Sequence, residues 1–129
     1  MPPNFVSGIP IYVQIADSIR DQILRGFLRA GDQLTSTTEY SATYRINPAT
    51  VGKAFAILVD EGLVEKRRGI GMFVAEGAQH ALVADGLATY VEETLTPAVE
   101  AGLALGLDID AIIDHVRAYG ADTTAKDNS

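Results

Sequence analysis

The chain has 129 residues, 47% of them hydrophobic, and contains no cysteine, so it can build a core without disulfides, and thiolate zinc sites and thiol redox sensing are excluded. The net charge of −7 argues at first against a nucleic-acid partner. The acidity is uneven, however: residues 1–75 hold eight basic and seven acidic residues, whereas residues 76–129 hold two and ten. Local clustering matters more for DNA binding than the total, and the densest basic run is Lys66-Arg67-Arg68.

The N-terminal residues carry neither the basic start nor the long apolar run of a signal peptide. No other stretch reaches the roughly 18 uncharged apolar residues that a membrane span needs. We therefore expect a cytoplasmic protein with no membrane partner.

A first helix is predicted near 10–25. Pro10 suits a first helical turn, and isoleucines follow at a spacing of four residues, at Ile11, Ile15, Ile19 and Ile23. Gly26 closes this helix, and a short extended piece is expected around Gln33-Leu34.

Two further helices follow closely on each other. Ser36 or Thr35 can cap a helix at about 37–44, with Glu39 in the position of a capping box. Asn47-Pro48 then pairs a capping residue with a first-turn proline, which predicts a helix over 48–61. Two helices joined by a turn this short indicate a helix-turn-helix.

A β-hairpin is predicted directly after the third helix. Its strands are expected at 63–67 and 72–74, with Arg68-Gly69-Ile70-Gly71 between them. A hairpin in this place is a wing, so residues 1–75 are predicted to form a winged helix-turn-helix DNA-binding domain.

The C-terminal part is predicted to be helical and to mediate dimerisation. After a linker at 75–78, the segment 76–120 alternates apolar and polar residues with helical spacing, and Pro97 is expected to kink or break it. Asp108 can cap a last helix that ends at Gly120, which leaves 121–129 as a frayed tail. The fold class is thus mainly α with one small hairpin.

These C-terminal helices carry more apolar surface than they can bury alone. A second copy related by two-fold symmetry is the simplest cover, so we expect a homodimer. The residues expected at its interface are Leu82, Leu87, Tyr90, Val91, Leu95, Ile109, Ile112, Ile113 and Val116.

Four strings in order link residues 10–75 to a known family. They are Pro10-Ile11-Tyr12-x-Gln14-Ile15, Gly31-Asp32-x-Leu34 with Ser36, Asn47-Pro48-Ala49-Thr50-Val51-x-Lys53-Ala54-Phe55, and Glu61-Gly62-Leu63-Val64-Glu65-x-Arg67-Arg68-Gly69-x-Gly71-x-Phe73-Val74. In these strings the chain resembles the GntR superfamily of bacterial regulators, most closely its short YtrA-like branch.

The resemblance implies a repressor with two dimerising helices whose hold on DNA is loosened by an effector. Four positions depart from the family pattern. The second helix of the family usually reads Ser-x-Arg-x-Leu, and this chain has Thr38 and Tyr40 in place of the arginine and the leucine. Arg45 stands where glycine is frequent, and Gly52 stands at a position that is arginine in some relatives. These departures can remove phosphate or base contacts, and Arg45 can replace one of them.

The expected DNA contacts come from the second helix, the third helix and the wing. They are Ser36, Thr37, Thr38, Arg45, Asn47, Ala49, Thr50, Lys53, Arg67, Arg68 and Gly69. Two alternatives stay open: Ser36 and Asn47 can act as helix caps only, and the arginine pair can belong to an ordinary charged turn rather than enter a minor groove.

Other classes of function compete with DNA binding. A winged helix can serve as a protein-interaction module without specific DNA binding. The sequence shows no catalytic set and no cofactor motif, and His80 and His115 lack the partners for a metal site. If a small-molecule effector exists, the C-terminal segment is too short to enclose it in one protomer, and it is expected between two.

Overall fold

The computed structural model describes the backbone of residues 5–127 and the side chains of residues 5–124. The chain divides into two compact units after Asp85, and each is described by itself. No helix among the described residues is long and apolar enough to cross a membrane.

The first unit is a winged helix-turn-helix, as predicted. Its elements are α1 (Ile11–Leu24), α2 (Thr37–Tyr44), α3 (Pro48–Asp60), β1 (Val64–Arg67), β2 (Gly71–Val74) and the first turns of α4 (Ala78–Tyr90). The predicted bounds of α1, α2 and α3 agree with these to within a residue, because the capping residues and terminal glycines mark the ends.

The core of this unit joins one face of α1 to one face of α3. The buried side chains of α1 recur at helical spacing, and they meet those of α3 and the start of the hairpin: Ile15, Ile19, Ile23, Val51, Phe55, Leu58 and Val64. At the edge of the core the Arg20 guanidinium donates to both carboxylate oxygens of Glu61. This bidentate ion pair ties α1 to the end of α3.

The hairpin is antiparallel and extended by a third segment. Val64 pairs with Val74 and Arg67 with Gly71, so the two valines point into the core. The extended piece before α2 joins the other edge of β2, where Gln33 forms a bridge with Phe73 and the Val74 N–H donates to the Asp32 carbonyl at 2.9 Å. The short extended segment expected at 33–34 is confirmed.

The start of α4 belongs to the first unit. Ala78 is buried in the core, Leu82 packs against it, and the Gln79 amide donates to the Leu24 carbonyl at 3.1 Å. The sequence placed a linker at 75–78 and Leu82 in a dimer interface. Helix α4 begins at the last residue of that linker, and Leu82 is half-buried against the core of its own chain.

The second unit contains the end of α4, a π-helical turn (Val91–Leu95), α5 (Thr96–Ala104) and α6 (Ile109–Asp127). The interruption predicted at Pro97 takes the form of this π turn rather than a break. Proline has no N–H to bond one turn back. The preceding Thr96 N–H donates instead to the carbonyl of Val91, five residues earlier, so helical hydrogen bonding continues up to the proline.

Helix α6 is longer than predicted. Asp108 caps its start as expected, since its Oδ1 accepts from the Ala111 N–H at 2.8 Å. The helix continues past Gly120 to Asp127, so the backbone of 121–127 is not a frayed tail; positions 128 and 129 lie outside the described residues. The hydroxyls of Thr123 and Thr124 donate to carbonyls one turn back, and a single glycine costs a helix only about 1 kcal/mol.

Helices α5 and α6 approach closely at one glycine. A Cβ added to Gly102 would lie 3.1 Å from the Cδ1 of Ile112. Ile112, expected at the dimer interface, therefore packs within its own chain and is half-buried. The remaining expected interface residues of this unit are exposed in the single chain: Leu87, Tyr90, Val91, Leu95, Ile109, Ile113 and Val116.

Candidate nucleic-acid interface

The start of α2 presents hydroxyl groups. The Ser36 Oγ accepts from the Glu39 N–H at 3.1 Å, so Ser36 caps the helix. Thr37 is half-buried and Thr38 is exposed. Glu39 is the charged residue in the first turn of α2. This end of α2 can donate hydrogen bonds from hydroxyls and from backbone N–H groups.

The turn between α2 and α3 depends on Arg45 and Ser41. Arg45 lies in the left-handed region, at φ 53° and ψ 50°, which explains in physical terms why glycine suits this position. The buried Ser41 closes the turn: its Oγ donates to the Ile46 carbonyl, and its own carbonyl accepts from the Ile46 N–H at 3.0 Å. Ser41 was missed in the sequence, where a serine inside a helix gives no signal of its role.

The start of α3 carries the second group of expected contacts. The Asn47 Oδ1 accepts from the Ala49 N–H at 2.8 Å, so Asn47 is a helix cap whose amide nitrogen remains available. Asn47 and Ala49 are exposed and Thr50 is half-buried. One turn later the Lys53 ammonium lies over the Tyr12 ring, 4.0 Å from its centroid. A cation–π contact of this kind holds Lys53 against α1.

The wing differs in detail from the predicted tip. Arg67 is the last residue of β1, as expected, whereas Gly71, expected in the turn, is the first residue of β2. The Arg67 guanidinium lies 4.2 Å from the centroid of the Phe73 ring. Arg68 and Gly69 lie in the turn itself, where Gly69 has φ 78°. Ile70 completes the tip with 66% of its surface exposed. Sequence reasoning passed over it because an isoleucine between two glycines matched no charged or polar contact.

A cleft of about 380 Å³ joins the start of α2 to the wing. Ser36 and Thr37 line one side, and Lys66, Arg67 and Gly69 line the other. The structure thus brings five residues of two elements together, four of them expected from the sequence. The expected contacts Thr38, Arg45, Asn47, Ala49, Thr50, Lys53 and Arg68 are not among its lining residues.

The cations of this region are not neutralised by ion pairs within the described part of the chain. The ion pairs found there involve Arg20 with Asp17 and Glu61, and Arg25 with Asp21. Arg45, Lys53 and the wing cations make none. Their positive charge is therefore available to an anionic partner such as a phosphate backbone.

Comparison with known proteins decides the family. The model of the bacterial regulatory proteins of the gntR family matches residues 11–74, which are about half of the chain. The chain belongs to the GntR family. The resemblance stated from its sequence motifs is confirmed.

A curated relative extends the similarity through the C-terminal helices of this GntR-family chain. The HTH-type transcriptional repressor YtrA of Bacillus subtilis is 32% identical over 116 residues, which are 90% of this chain and 88% of YtrA. The short C-terminal part is thus shared with YtrA, as the resemblance to the YtrA-like branch implied. The chain is a transcription regulator with a DNA-binding domain, not an enzyme.

Solved structures that share the fold include a GntR family regulator and an operator complex. A GntR family transcriptional regulator from Listeria monocytogenes matches with a TM-score of 0.69 and 29% identity, over 88% of this chain and 98% of its own. AraR(DBD) in complex with operator ORR3 matches with a TM-score of 0.51 and 27% identity, over 58% of this chain and 90% of its own.

Proposed function

We propose that the chain is a homodimeric repressor that binds a near-palindromic operator through α2, the start of α3 and the wing. The observation that carries this proposal is the cleft whose lining joins Ser36 and Thr37 at the start of α2 to Lys66, Arg67 and Gly69 of the wing. Donors on two sides of one concave surface suit a phosphate backbone, which accepts hydrogen bonds and carries negative charge. The complex of AraR(DBD) with its operator supports this use of the shared fold.

Base recognition falls to the start of α3. Asn47 keeps its amide nitrogen free while its oxygen caps the helix, and exposed Ala49 offers a methyl group. In a major groove these groups can donate to a base edge and contact a thymine methyl. Lys53 and Arg45 then contact phosphates on either side, and Arg68 and Gly69 enter the adjacent minor groove. The protein would act in the cytoplasm, where bacterial DNA lies.

The test is a double variant of the wing with a control of equal charge. Arg67→Ala with Arg68→Ala removes two cations from the wing, so the affinity for duplex DNA is expected to fall, and the slope of log K against log salt to decrease by about 0.9 for each phosphate that is no longer neutralised. Arg25→Ala with Arg29→Ala removes two exposed cations that lie outside the cleft. Fluorescence anisotropy across a salt series measures both variants.

The comparison separates DNA binding from the general effect of charge. Equal loss of affinity in the two double variants would mean that only the net charge matters. Unchanged affinity and salt slope in the wing variant would exclude the wing from the interface and favour the alternative of a protein-interaction module.

Dimerisation is proposed to use the apolar residues that the second unit leaves exposed. Leu87 and Val116 are 68% and 60% exposed, and Tyr90 and Val91 are each 50% exposed. Soluble proteins rarely leave so many large apolar side chains uncovered on one small unit. A second copy supplies the same apolar surface and satisfies both chains at once.

An effector site is proposed between the two protomers, where a bound small molecule would change the spacing of the two DNA-binding units. Support comes from size alone, since a drug-sized ligand needs walls on most sides. Titration of an operator complex with candidate metabolites tests this proposal. If no compound shifts the DNA affinity and the dimer interface holds no cavity, the repressor is not controlled in this way.

A further inference from the structure

Gln33 is not among the expected DNA contacts, yet it connects two parts of the DNA-binding domain. It lies in the extended segment before α2, where its backbone bridges Phe73 of β2. Its side-chain amide Nε2 donates to the Ile70 carbonyl at 3.0 Å, across 37 positions of sequence. Gln33 thus reaches from the helical part of the domain to the tip of the wing.

The wing is shaped to receive this side chain. Gly71 has φ 141°, and a Cβ added there would lie 2.5 Å from the Gln33 Nε2. Any larger residue at 71 would therefore displace the amide from the Ile70 carbonyl. Gly71 supplies both the backbone conformation that ends the turn and the space that the Gln33 side chain occupies.

The contact matters because it is made at the tip of the wing. Within the turn, the Ile70 N–H donates to the Arg67 carbonyl at 3.0 Å. Gly69 and Ile70, which lie within this turn, are exposed, so the tip itself does not pack on the core. On the same face of the sheet as Gln33, Phe73 carries the Arg67 guanidinium at 4.2 Å. Gln33 and Phe73 together fix both ends of the basic segment 67–70.

We propose that Gln33 is a positioning residue for DNA binding: its amide holds the wing tip in the orientation in which Arg67 and Arg68 meet the duplex. The proposal rests on the proposed function. Gln33 itself need not contact DNA. It lowers the cost of ordering the wing on binding, which is the usual benefit of a preorganised loop.

The experiment compares two glutamines with similar bonds. Gln33→Met removes the donor and keeps the length of the side chain. Gln79→Met is the matched control, since the Gln79 Nε2 also donates to a backbone carbonyl, that of Leu24 at 3.1 Å, and is also exposed. Thermal denaturation, operator binding across a salt series and ¹⁵N relaxation of the amides at 69, 70 and 71 are measured for both.

The expected result separates positioning from charge and from stability. Gln33→Met is expected to weaken operator binding by about three- to tenfold, the range of one missing hydrogen bond, with an unchanged salt slope because no cation is removed. Order parameters of the tip amides are expected to fall, while Gln79→Met leaves affinity and tip order unchanged at a similar melting temperature. Gln33→Ala should repeat the loss of affinity.

Two outcomes would overturn the inference. One is unchanged tip order in Gln33→Met, and the other is an equal loss of affinity in Gln79→Met. If the native chain binds no duplex DNA, the proposed function fails by itself, and the relaxation data still decide whether Gln33 orders the wing.

Discussion

Arg45 combines a strained backbone with an uncompensated charge. A left-handed conformation costs an L-residue roughly 1–2 kcal/mol, and the side chain of Arg45 makes no ion pair among the described residues that would offset this. A residue retained at such a cost in the turn of a helix-turn-helix fits a role in binding rather than in folding.

Replacing Arg45 by glycine should therefore separate the two roles. For Arg45→Gly we expect the free energy of unfolding to stay the same or rise by up to about 1 kcal/mol, because glycine adopts this conformation without strain. The affinity for DNA should fall, and the salt slope should decrease by about 0.9 if Arg45 neutralises one phosphate. Urea denaturation and anisotropy measure the two effects, and Arg45→Ala, which keeps the strain, serves as the control. Tighter binding by Arg45→Gly would contradict the phosphate contact.

Tyr40 makes the folded state sensitive to alkali. Its ring lies in the core, with centroids 4.6 Å from Tyr44 and 6.0 Å from Phe55, and burial together with Tyr44 raises the pKa of Tyr40 to about 12. The unfolded chain loses this proton near pH 10, whereas the folded chain keeps it. The unfolded state thus binds fewer protons between these values, and stability is lost as pH rises through that interval.

The corresponding prediction concerns Tyr40→Phe. In the native chain the urea midpoint should fall between pH 10 and about 11.5, and the variant should show a smaller fall over the same range. Thr43→Ala, an exposed substitution on the same helix, is the control and should keep the native profile. An identical pH dependence in Tyr40→Phe would show that another group is responsible.

At the scale of elements, the cap of α3 can be separated from base recognition. The Asn47 Oδ1 caps the helix and its amide nitrogen does not. Asn47→Ser keeps a capping oxygen, so stability should change by only a few tenths of a kcal/mol, whereas Asn47→Ala should cost about 1 kcal/mol. If Asn47 also reads a base, both variants should lose operator affinity by a similar factor. Full affinity in Asn47→Ser would leave Asn47 with the capping role alone.

The sequence predicted the elements better than the contacts between them. Local signals, such as Asn47-Pro48 at the start of α3 and Gly62 after its end, act within one turn of chain and need no tertiary information. Gln33 on Ile70 and Leu82 on the core depend on segments far apart in sequence, so no local pattern announces them. The end of α6 was misjudged because a glycine was given more weight than the threonine and alanine residues after it.

The sequence predicted which residues form the candidate site, but only part of their arrangement in the strands and turns. The basic run at 66–68 and its division between strand and turn were predicted, but Gly71 was placed in the turn, whereas its pairing with Arg67 makes it the first residue of β2. Ser41 was overlooked because its function is to bond across a turn within the helix pair rather than to face a ligand.

At the scale of the molecule, the second unit should set the oligomeric state. Leu87→Glu with Val91→Glu places charges in the proposed interface, and the dimer is expected to dissociate at least about 100-fold more readily, because a carboxylate buried without a partner costs several kcal/mol. Thr89→Glu is the control, since 89 lies about 160° around the helix from 91. Sedimentation velocity over a concentration series measures the change. A native chain that remains monomeric at all concentrations would disprove the interface.

The π turn at Val91–Leu95 limits what kind of assembly these helices can form. A long two-stranded coiled coil needs an uninterrupted heptad repeat, which is seven residues for every two helical turns. A π turn contains one additional residue and therefore interrupts this repeat. Side chains ahead of the turn and those behind it then fall on separate stripes. If two copies paired along these helices, the register between them would have to shift at the π turn. This favours a short cluster of helices over an extended coiled coil.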